Sequence, residues 1–232
     1  MIGNVYLIPI ALSEDGYQTL PAYIAEKINA CDVFFAENIR TARRAFKKMD
    51  KQFNIDSKEW YEIEAKEIAS VAAFKSCLIQ QKNIGIVSES GCPGIADPGQ
   101  QLVSVAQEMG ATVNPISGPS SILLSLMASG LNGQSFTFNG YLPIESVDRE
   151  KKIKELEKKA IVENCTQLFI ETPYRNNVML TSLLKVCHPS TKLCIAYNLT
   201  SSTEWVKTKK ISAWITTPII LPKEPAIFLL GG

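Results

Sequence analysis

Short apolar runs at 5–8, 33–36, 84–88 and 112–116 alternate, through the first half of the chain, with segments whose apolar residues recur at helical spacing, such as Ile68, Val71, Ala72, Leu78 and Ile79. That alternation predicts crossover units around a mostly parallel sheet, and so an α/β fold. A second set of strand-like runs begins at Phe136-Thr137-Phe138 and continues at 167–170, 192–196 and 226–230, which predicts a second α/β lobe. Between the two sets, Ser117-Gly118-Pro119-Ser120-Ser121 leads into Ile122, Leu123, Leu126 and Met127, the pattern of an N-capped helix. The chain is therefore divided into an N-terminal lobe, 1–116, and a C-terminal lobe, 117–232.

A length of 232 residues with 46% apolar content is enough to fill two such cores. Lys plus Arg, 24, nearly cancel Asp plus Glu, 23, so no global field recruits nucleic acid or an anionic membrane, and any RNA binding must come from a local patch. The six cysteines form no Cys-x-x-Cys pair, and several sit in apolar segments such as Leu193-Cys194-Ile195. Reduced, buried thiols of a cytoplasmic protein are expected, not disulfides or a metal site. The N-terminus runs directly into Val5-Tyr6-Leu7-Ile8, and no later apolar run reaches about 18 residues, which argues against secretion and membrane insertion. Lys151 to Lys159 reads as a solvated amphipathic helix with Ile153 and Leu156 on its apolar side, with contact to a polyanion as the alternative.

In open α/β sheets ligands sit beyond the carboxyl ends of strands, so the loops after Ile10, Ala36, Val87, Ile116, Ile170 and Ala196 are the places to look. The richest is Val87-Ser88-Glu89-Ser90-Gly91-Cys92-Pro93-Gly94-Ile95-Ala96-Asp97-Pro98-Gly99. Three glycines and two prolines within residues 91–99 let backbone approach a ligand and keep the loop stiff. Pro98 suits the first turn of a helix carrying Leu102, Val103, Val105, Ala106 and Met109, which Gly110 closes. Ala36-Glu37-Asn38-Ile39-Arg40 places an acid, an amide and an arginine at a strand end, and Asn38 either caps the helix bearing Arg43, Arg44 and Phe46 or belongs to a site. Glu171 and Arg175 repeat the carboxylate-arginine arrangement in the second lobe. Asn198 to Trp205 adds a dense hydroxyl cluster, and His188 is assigned no role. The chain holds no phosphate-binding Gly-x-x-x-x-Gly-Lys-Ser/Thr loop, no Gly-x-Ser-x-Gly elbow and no dinucleotide glycine fingerprint after the first strand, so ATP, serine-hydrolase and NAD chemistry lose ground.

Taken in order, these loops resemble the tetrapyrrole methylase superfamily and, within it, the bacterial 16S rRNA cytidine 2′-O-ribose methyltransferases. The densest similarity is 87–99 with Leu102-Val103, close to a family pattern Val-Ser-Asp-Ala-Gly-Thr-Pro-x-Ile-x-Asp-Pro-Gly. Ala36-Glu37-Asn38-x-Arg40, Gly118-Pro119-Ser120-Ser121, Gly140-Tyr141-Leu142-Pro143, Glu171-x-x-x-Arg175, and Leu199-Thr200 with Glu204 follow in family order. The resemblance implies two α/β lobes of the tetrapyrrole methylase type, a homodimer, and S-adenosylmethionine in a cleft between the lobes. Carried over by position, cofactor contacts would be Pro9, Ile10, Ala11, Gly91, Cys92, Pro93, Ile95, Ser120, Ser121, Ile170, Tyr197, Pro225 and Ala226. The implied partner is ribosomal RNA or the small ribosomal subunit. The sequence departs from the family at Pro9-Ile10-Ala11-Leu12-Ser13-Glu14, where Pro-x-Pro-Ile-Gly-Asn is expected, and at Glu89 and Asn38, which replace aspartates, and Asn198, which replaces glutamate. A helical extension found in the family beyond the last strand would begin after Leu230.

Methyl transfer from a sulfonium is an in-line displacement with an activated leaving group, so the protein chiefly aligns donor and acceptor and manages one proton. For a ribose hydroxyl the candidate general base is Glu171, then Glu37 and Glu89, with Arg40 and Arg175 positioning phosphates. The competing reading of each is an intramolecular salt bridge across the lobe interface. The rival functions are methyl transfer to a small tetrapyrrole-like molecule or a protein, and an inactive cofactor-binding interaction module.

Overall fold

The computed structural model describes residues 2–63 and 68–232, and the chain forms two compact units, Met1–Ser120 and Ser121–Gly232. In the first unit β1 (Asn4–Ile8), β2 (Val33–Ala36), β3 (Glu59–Glu62), β4 (Ile84–Val87) and β5 (Thr112–Pro115) form one sheet in the order β3-β2-β4-β1-β5, and every pairing is parallel. The helices are α1 (Ile24–Ala30), α2 (Ile39–Met49), α3 (Ile68–Ile79) and α4 (Gln100–Glu108).

Strand alternation decides what each helix covers. Val5, Val33, Phe35, Ile84 and Ile86 point to the side packed by Phe74, Leu78, Leu102 and Ala106 of α3 and α4. Ile8, Phe34, Ala36 and Val87 point to the other, against Ile24, Ile28, Ala42 and Phe46 of α1 and α2. Phe34 anchors that second face, stacked on Trp60 at 4.8 Å and edge-on to Phe46 at 4.9 Å. Gly85 lies opposite, and a Cβ there would come 2.5 Å from the Phe34 ring, so glycine is the residue that lets the aromatic cluster close over the sheet. The chain leaves β1 toward one face and β4 toward the other, while β1 and β4 are hydrogen-bonded neighbours. That is the topological switch point of a doubly wound sheet.

Helix α4 starts later than the position of Pro98 suggests. Gly99, at φ 112°, takes the N-cap, and Gln100 is the first helical residue. A left-handed cap is open to glycine at no steric cost, so the proline serves the loop and accepts a hydrogen bond from Gly94 N–H at 3.3 Å.

The second unit has α5 (Ser121–Ser129), β6 (Phe136–Tyr141), α6 (Ser146–Val162), β7 (Thr166–Glu171), α7 (Asn176–Val186), β8 (Lys192–Tyr197), β9 (Trp205–Lys210), α8 (Ile211–Thr216) and β10 (Ala226–Gly231). Its sheet, β6-β7-β10-β8-β9, is mixed: β6 and β7 are parallel, while β10 runs antiparallel to β7 and β8, and β9 antiparallel to β8. Phe169, Leu193, Ile195, Phe228 and Leu230 pack under α6, α7 and α8, and Leu168, Cys194, Ala196, Ile227 and Leu229 pack under α5. Trp214 is buried on the first of these faces and donates its indole N–H to Leu193 O at 2.9 Å. All six cysteines are free and five are buried; burial pushes Cys31 and Cys187 up to about 12 and Cys194 to about 11, leaving them inert thiols. Among the described residues no helix is long and apolar enough to cross a membrane, and no group of His, Cys, Asp and Glu side chains is placed to hold a metal ion.

Candidate functional site

Because the first sheet is parallel, the loops after β1, β2, β4 and β5 leave from one edge. At the switch point the loops after β1 and β4 are tied to each other: Ile10 N–H donates to Gly91 O at 2.9 Å and Gly91 N–H to Ile10 O at 3.0 Å. The loop after β5 closes on the same pair. A Cβ on Gly118 would meet Pro9 Cβ at 2.2 Å, and the Cys92 thiol faces the carbonyls of Gly118 and Pro119 at 3.8 and 3.6 Å. Pro9, Ile10, Ala11, Gly91, Cys92 and Pro93 are thus parts of one packed edge, with only Cys92 of these half-buried. The next residues turn outward: Gly94, at φ 78°, has no atom within 4 Å of where a Cβ would stand, and Ile95 is 54% exposed. Ser120 and Ser121 stand at the join of the two units, half-buried.

Carboxylates cluster on this edge. Glu37 N–H donates to Val87 O at 3.0 Å, and the Glu37 carboxylate accepts from Glu89 N–H at 2.9 Å. Glu89, exposed, accepts from the Thr41 hydroxyl at 3.2 Å. Asn38 caps α2, its side chain accepting from Thr41 N–H at 3.0 Å. Asp97 completes the group. Burial first, then the charges of Glu37 and Glu89, push its carboxyl up to about 6, against a lowering by the Ser88 hydroxyl. Asp97 lies inside the glycine-rich loop and has no role in the sequence reading; its proximity to Glu89 is visible in the sequence, whereas Glu37 joins them only through the parallel strands. Arg40 projects from the first turn of α2 and is exposed.

In the second unit the antiparallel β10 brings its beginning to the edge where β7 and β8 end. Register puts Ala226 opposite Glu171 on one side and Tyr197 on the other, with Tyr197 opposite Trp205. Asn198 N–H donates to Pro225 O at 2.8 Å, so Ile170, Tyr197, Pro225 and Ala226 share one edge. Glu171 is buried and fully engaged: Oε2 accepts from the Arg175 guanidinium at 2.6 Å and Oε1 from Thr172 N–H at 2.7 Å. That ion pair is formed within four residues of the same unit. Asn177 exchanges two hydrogen bonds of 2.8 and 2.9 Å with the Leu221 backbone, and Asn176 donates to Glu224 O at 2.8 Å. The start of α7 therefore holds the segment leading into β10. The hydroxyl-rich 198–204 turn is internally bonded, with Asn198 donating to the Thr203 hydroxyl at 2.8 Å and the Glu204 carboxylate accepting from Thr200 N–H at 2.6 Å.

Residues 4–213 match the family model described as Tetrapyrrole (Corrin/Porphyrin) Methylases. The chain is 29% identical over 212 residues to the ribosomal RNA small subunit methyltransferase I of Vibrio cholerae, covering 91% of this chain and 70% of that protein. It is 27% identical over 233 residues to the protein of the same name from Escherichia coli O157:H7, covering 99% and 78%. Among solved structures, the methyltransferase CobJ superposes with a TM-score of 0.64 at 14% identity, over 99% of this chain and 94% of that one. Uroporphyrin-III C-methyl transferase from Thermus thermophilus, complexed with S-adenyl homocysteine, gives 0.60 at 13% identity, over 99% and 97%. These likenesses show a shared fold.

Proposed function

The chain belongs to the tetrapyrrole (corrin/porphyrin) methylases, and from that membership we propose that it is an S-adenosylmethionine-dependent methyltransferase acting on ribosomal RNA of the small subunit, at a ribose 2′-hydroxyl. The two relatives named ribosomal RNA small subunit methyltransferase I support the acceptor, since their similarity runs over nine-tenths or more of the chain. The observation that carries the site is the mutual Ile10–Gly91 backbone pair at the switch point, which locks two loops at the edge where open α/β sheets take their ligands.

The residues present suit the cofactor. Gly94 leaves open space beside the loop, Ile95 offers exposed apolar surface, and Glu37, Glu89 and Asp97 give the edge a negative potential favourable to a sulfonium. In this reading Pro9, Ile10, Ala11, Gly91, Cys92, Pro93, Ile95 and Ser120 are the candidate cofactor contacts within the first unit, and Ser121, Ile170, Tyr197, Pro225 and Ala226 those within the second. When bound, S-adenosylmethionine supplies an activated methyl group. Acceptance of the hydroxyl proton falls to the Glu37–Glu89–Asp97 group, of which Glu89 is exposed and Asp97 is poised near neutral pH. Glu171 and Arg175 act as a positioning pair, and Arg40 meets phosphate. The protein works as a homodimer in the cytoplasm. Support for the dimer is β6, an edge strand whose Tyr141 is followed by exposed Ile144 and Val147; support for the compartment is six unpaired thiols.

Calorimetry with S-adenosylhomocysteine is expected to give micromolar affinity, and incubation with labelled donor and purified small ribosomal subunits to place the label in RNA. No heat on folded protein would overturn the cofactor assignment. Label appearing in a small molecule or a protein would overturn the acceptor.

A further inference from the structure

The site just described uses Arg40 but leaves unexplained the row of cations that continues from it. Arg40, Arg43, Arg44, Lys47 and Lys48 recur along α2 at helical spacing on one side, while Ala42, Ala45 and Phe46 are buried on the other. The helix holds five cations and no acid. By contrast α6, the other Lys-rich helix, interleaves its six cations with four acids. All five α2 cations line a single open groove of about 700 Å³ with Glu62.

Such a helix is electrostatically unfavourable on its own. Like charges at i, i+4 repel, and Arg40 in the first turn faces the positive end of the helix dipole. The compensation within the chain is partial: Glu14 pairs with Lys48 and lies 3.8 Å from Arg44, while Arg40, Arg43 and Lys47 have no ion pair among the described residues. Packing nevertheless holds two of the cations in place. The Arg43 guanidinium lies over the Trp60 ring at 5.0 Å, with its Nε buried and without a hydrogen-bond partner, and Lys48 lies over Tyr17 at 4.7 Å. A preformed cationic groove, with three of its five cations lacking an ion pair among the described residues, fits a polyanion.

The groove also connects with the chemistry. Its helix begins at the Asn38 cap, and Thr41, one residue beyond Arg40, is bonded to Glu89 of the β4 loop. We propose that the α2 groove is the track along which the phosphate backbone of the acceptor RNA docks, delivering the ribose to the β4 loop. This rests on the RNA reading above. Guanidinium forks suit phosphate oxygens, and the sequence-independent grip they provide leaves nucleotide choice to the reaction edge.

The test is titration of purified small ribosomal subunits, between 50 and 200 mM salt, onto the full chain and two charge-reversed variants. Arg44→Glu/Lys47→Glu alters two exposed α2 side chains outside the cofactor edge, and Lys154→Glu/Lys158→Glu alters α6 by the same charge. Expected for the α2 variant are binding weaker by about tenfold or more at low salt and a log–log salt slope shallower by about 2, with S-adenosylhomocysteine affinity unchanged. The α6 variant should stay within about threefold of the parent on the same scale of counterion release. Equal binding by parent and α2 variant, or an equal loss in the α6 variant, overturns the track. Parent protein that binds S-adenosylhomocysteine but not the subunits overturns the RNA reading and the track together. Preferential α2-dependent binding of phosphatidylglycerol vesicles over subunits overturns the RNA as occupant.

Discussion

The two units use the same materials, a five-stranded sheet with helices on both faces, yet they make their functional edges differently. In the first unit every strand is parallel, so each strand end opens into a loop at one edge and the loops must hold one another. They do so through backbone, by the Ile10–Gly91 pair and the close approach of Gly118 to Pro9. Their acids are left crowded and partly unpaired, with Asp97 pushed up to about 6. In the second unit the reversed β10 fills the edge with paired strand, and side chains do the fastening: Glu171 to Arg175, Asn176 and Asn177 to the 221–224 segment. The difference teaches that similar carboxylate-arginine spellings in sequence, Glu37-x-x-Arg40 and Glu171-x-x-x-Arg175, serve opposite ends. One leaves its charges available and the other spends them on each other.

The comparison breaks most visibly at Gly118. Gly118→Val must displace Pro9, because the added Cβ overlaps it at 2.2 Å, and overpacking of this kind costs about 1–3 kcal/mol. S-adenosylhomocysteine affinity by calorimetry is expected to fall at least tenfold, the size of 1.4 kcal/mol; unchanged affinity would remove the first-unit edge from the cofactor site. A paired substitution then sharpens the contrast between acids. Glu89 is exposed, and Glu89→Gln should leave the unfolding free energy within about 0.5 kcal/mol, while slowing methyl transfer by about 10²-fold. Glu171→Gln should do the reverse in stability, costing about 1–2 kcal/mol by stripping charge from the hydrogen bond to Arg175. Urea melts monitored by circular dichroism distinguish them, and equal stability losses would show that the two acids are not differently employed.

How far this was legible from sequence follows the same divide. Apolar runs such as 33–36 and 84–87 announce fully buried strands because helices cover both faces, and they fell where the structure has β2 and β4. Strand β3, Glu59-Trp60-Tyr61-Glu62, went unread because it is a short edge with acids at both ends; only its two aromatics pack. Strand β9 was hidden by its lysines, which suit an exposed edge but resemble a loop next to the 198–204 turn. Strand direction in the second unit is a tertiary property that no local pattern carries, so the alignment of Ala226 with Glu171 and Tyr197 was beyond reach of periodicity, though the family resemblance named the same residues. At the site, the glycine and proline content of 87–99 exposed the loop itself. The crowding that perturbs Asp97 arises only when parallel strands bring Glu37 from 60 residues away in the chain.

The smallest expected effect tests that crowding directly. A carboxyl whose folded pKa is raised above its unfolded value keeps its proton better in the native state, so stability declines as pH rises from about 4 through about 6, and the loss is complete above that window. Asp97→Asn, which holds a neutral group at every pH, should therefore flatten that part of the profile and raise the melting temperature at pH 7.5 by about 2–4 °C, the equivalent of roughly 1 kcal/mol once solvent screening of a half-buried group is allowed for. Glu204→Gln supplies the comparison from the second unit, since its carboxylate accepts the Thr200 N–H in a turn whose residues, 198–205, include no other acid, and its melting temperature should not rise. A gain in both variants would point to net charge as the cause, while a gain confined to Asp97 locates the strain in the Glu37–Glu89–Asp97 group, where the first unit leaves its acids uncompensated for use in proton transfer.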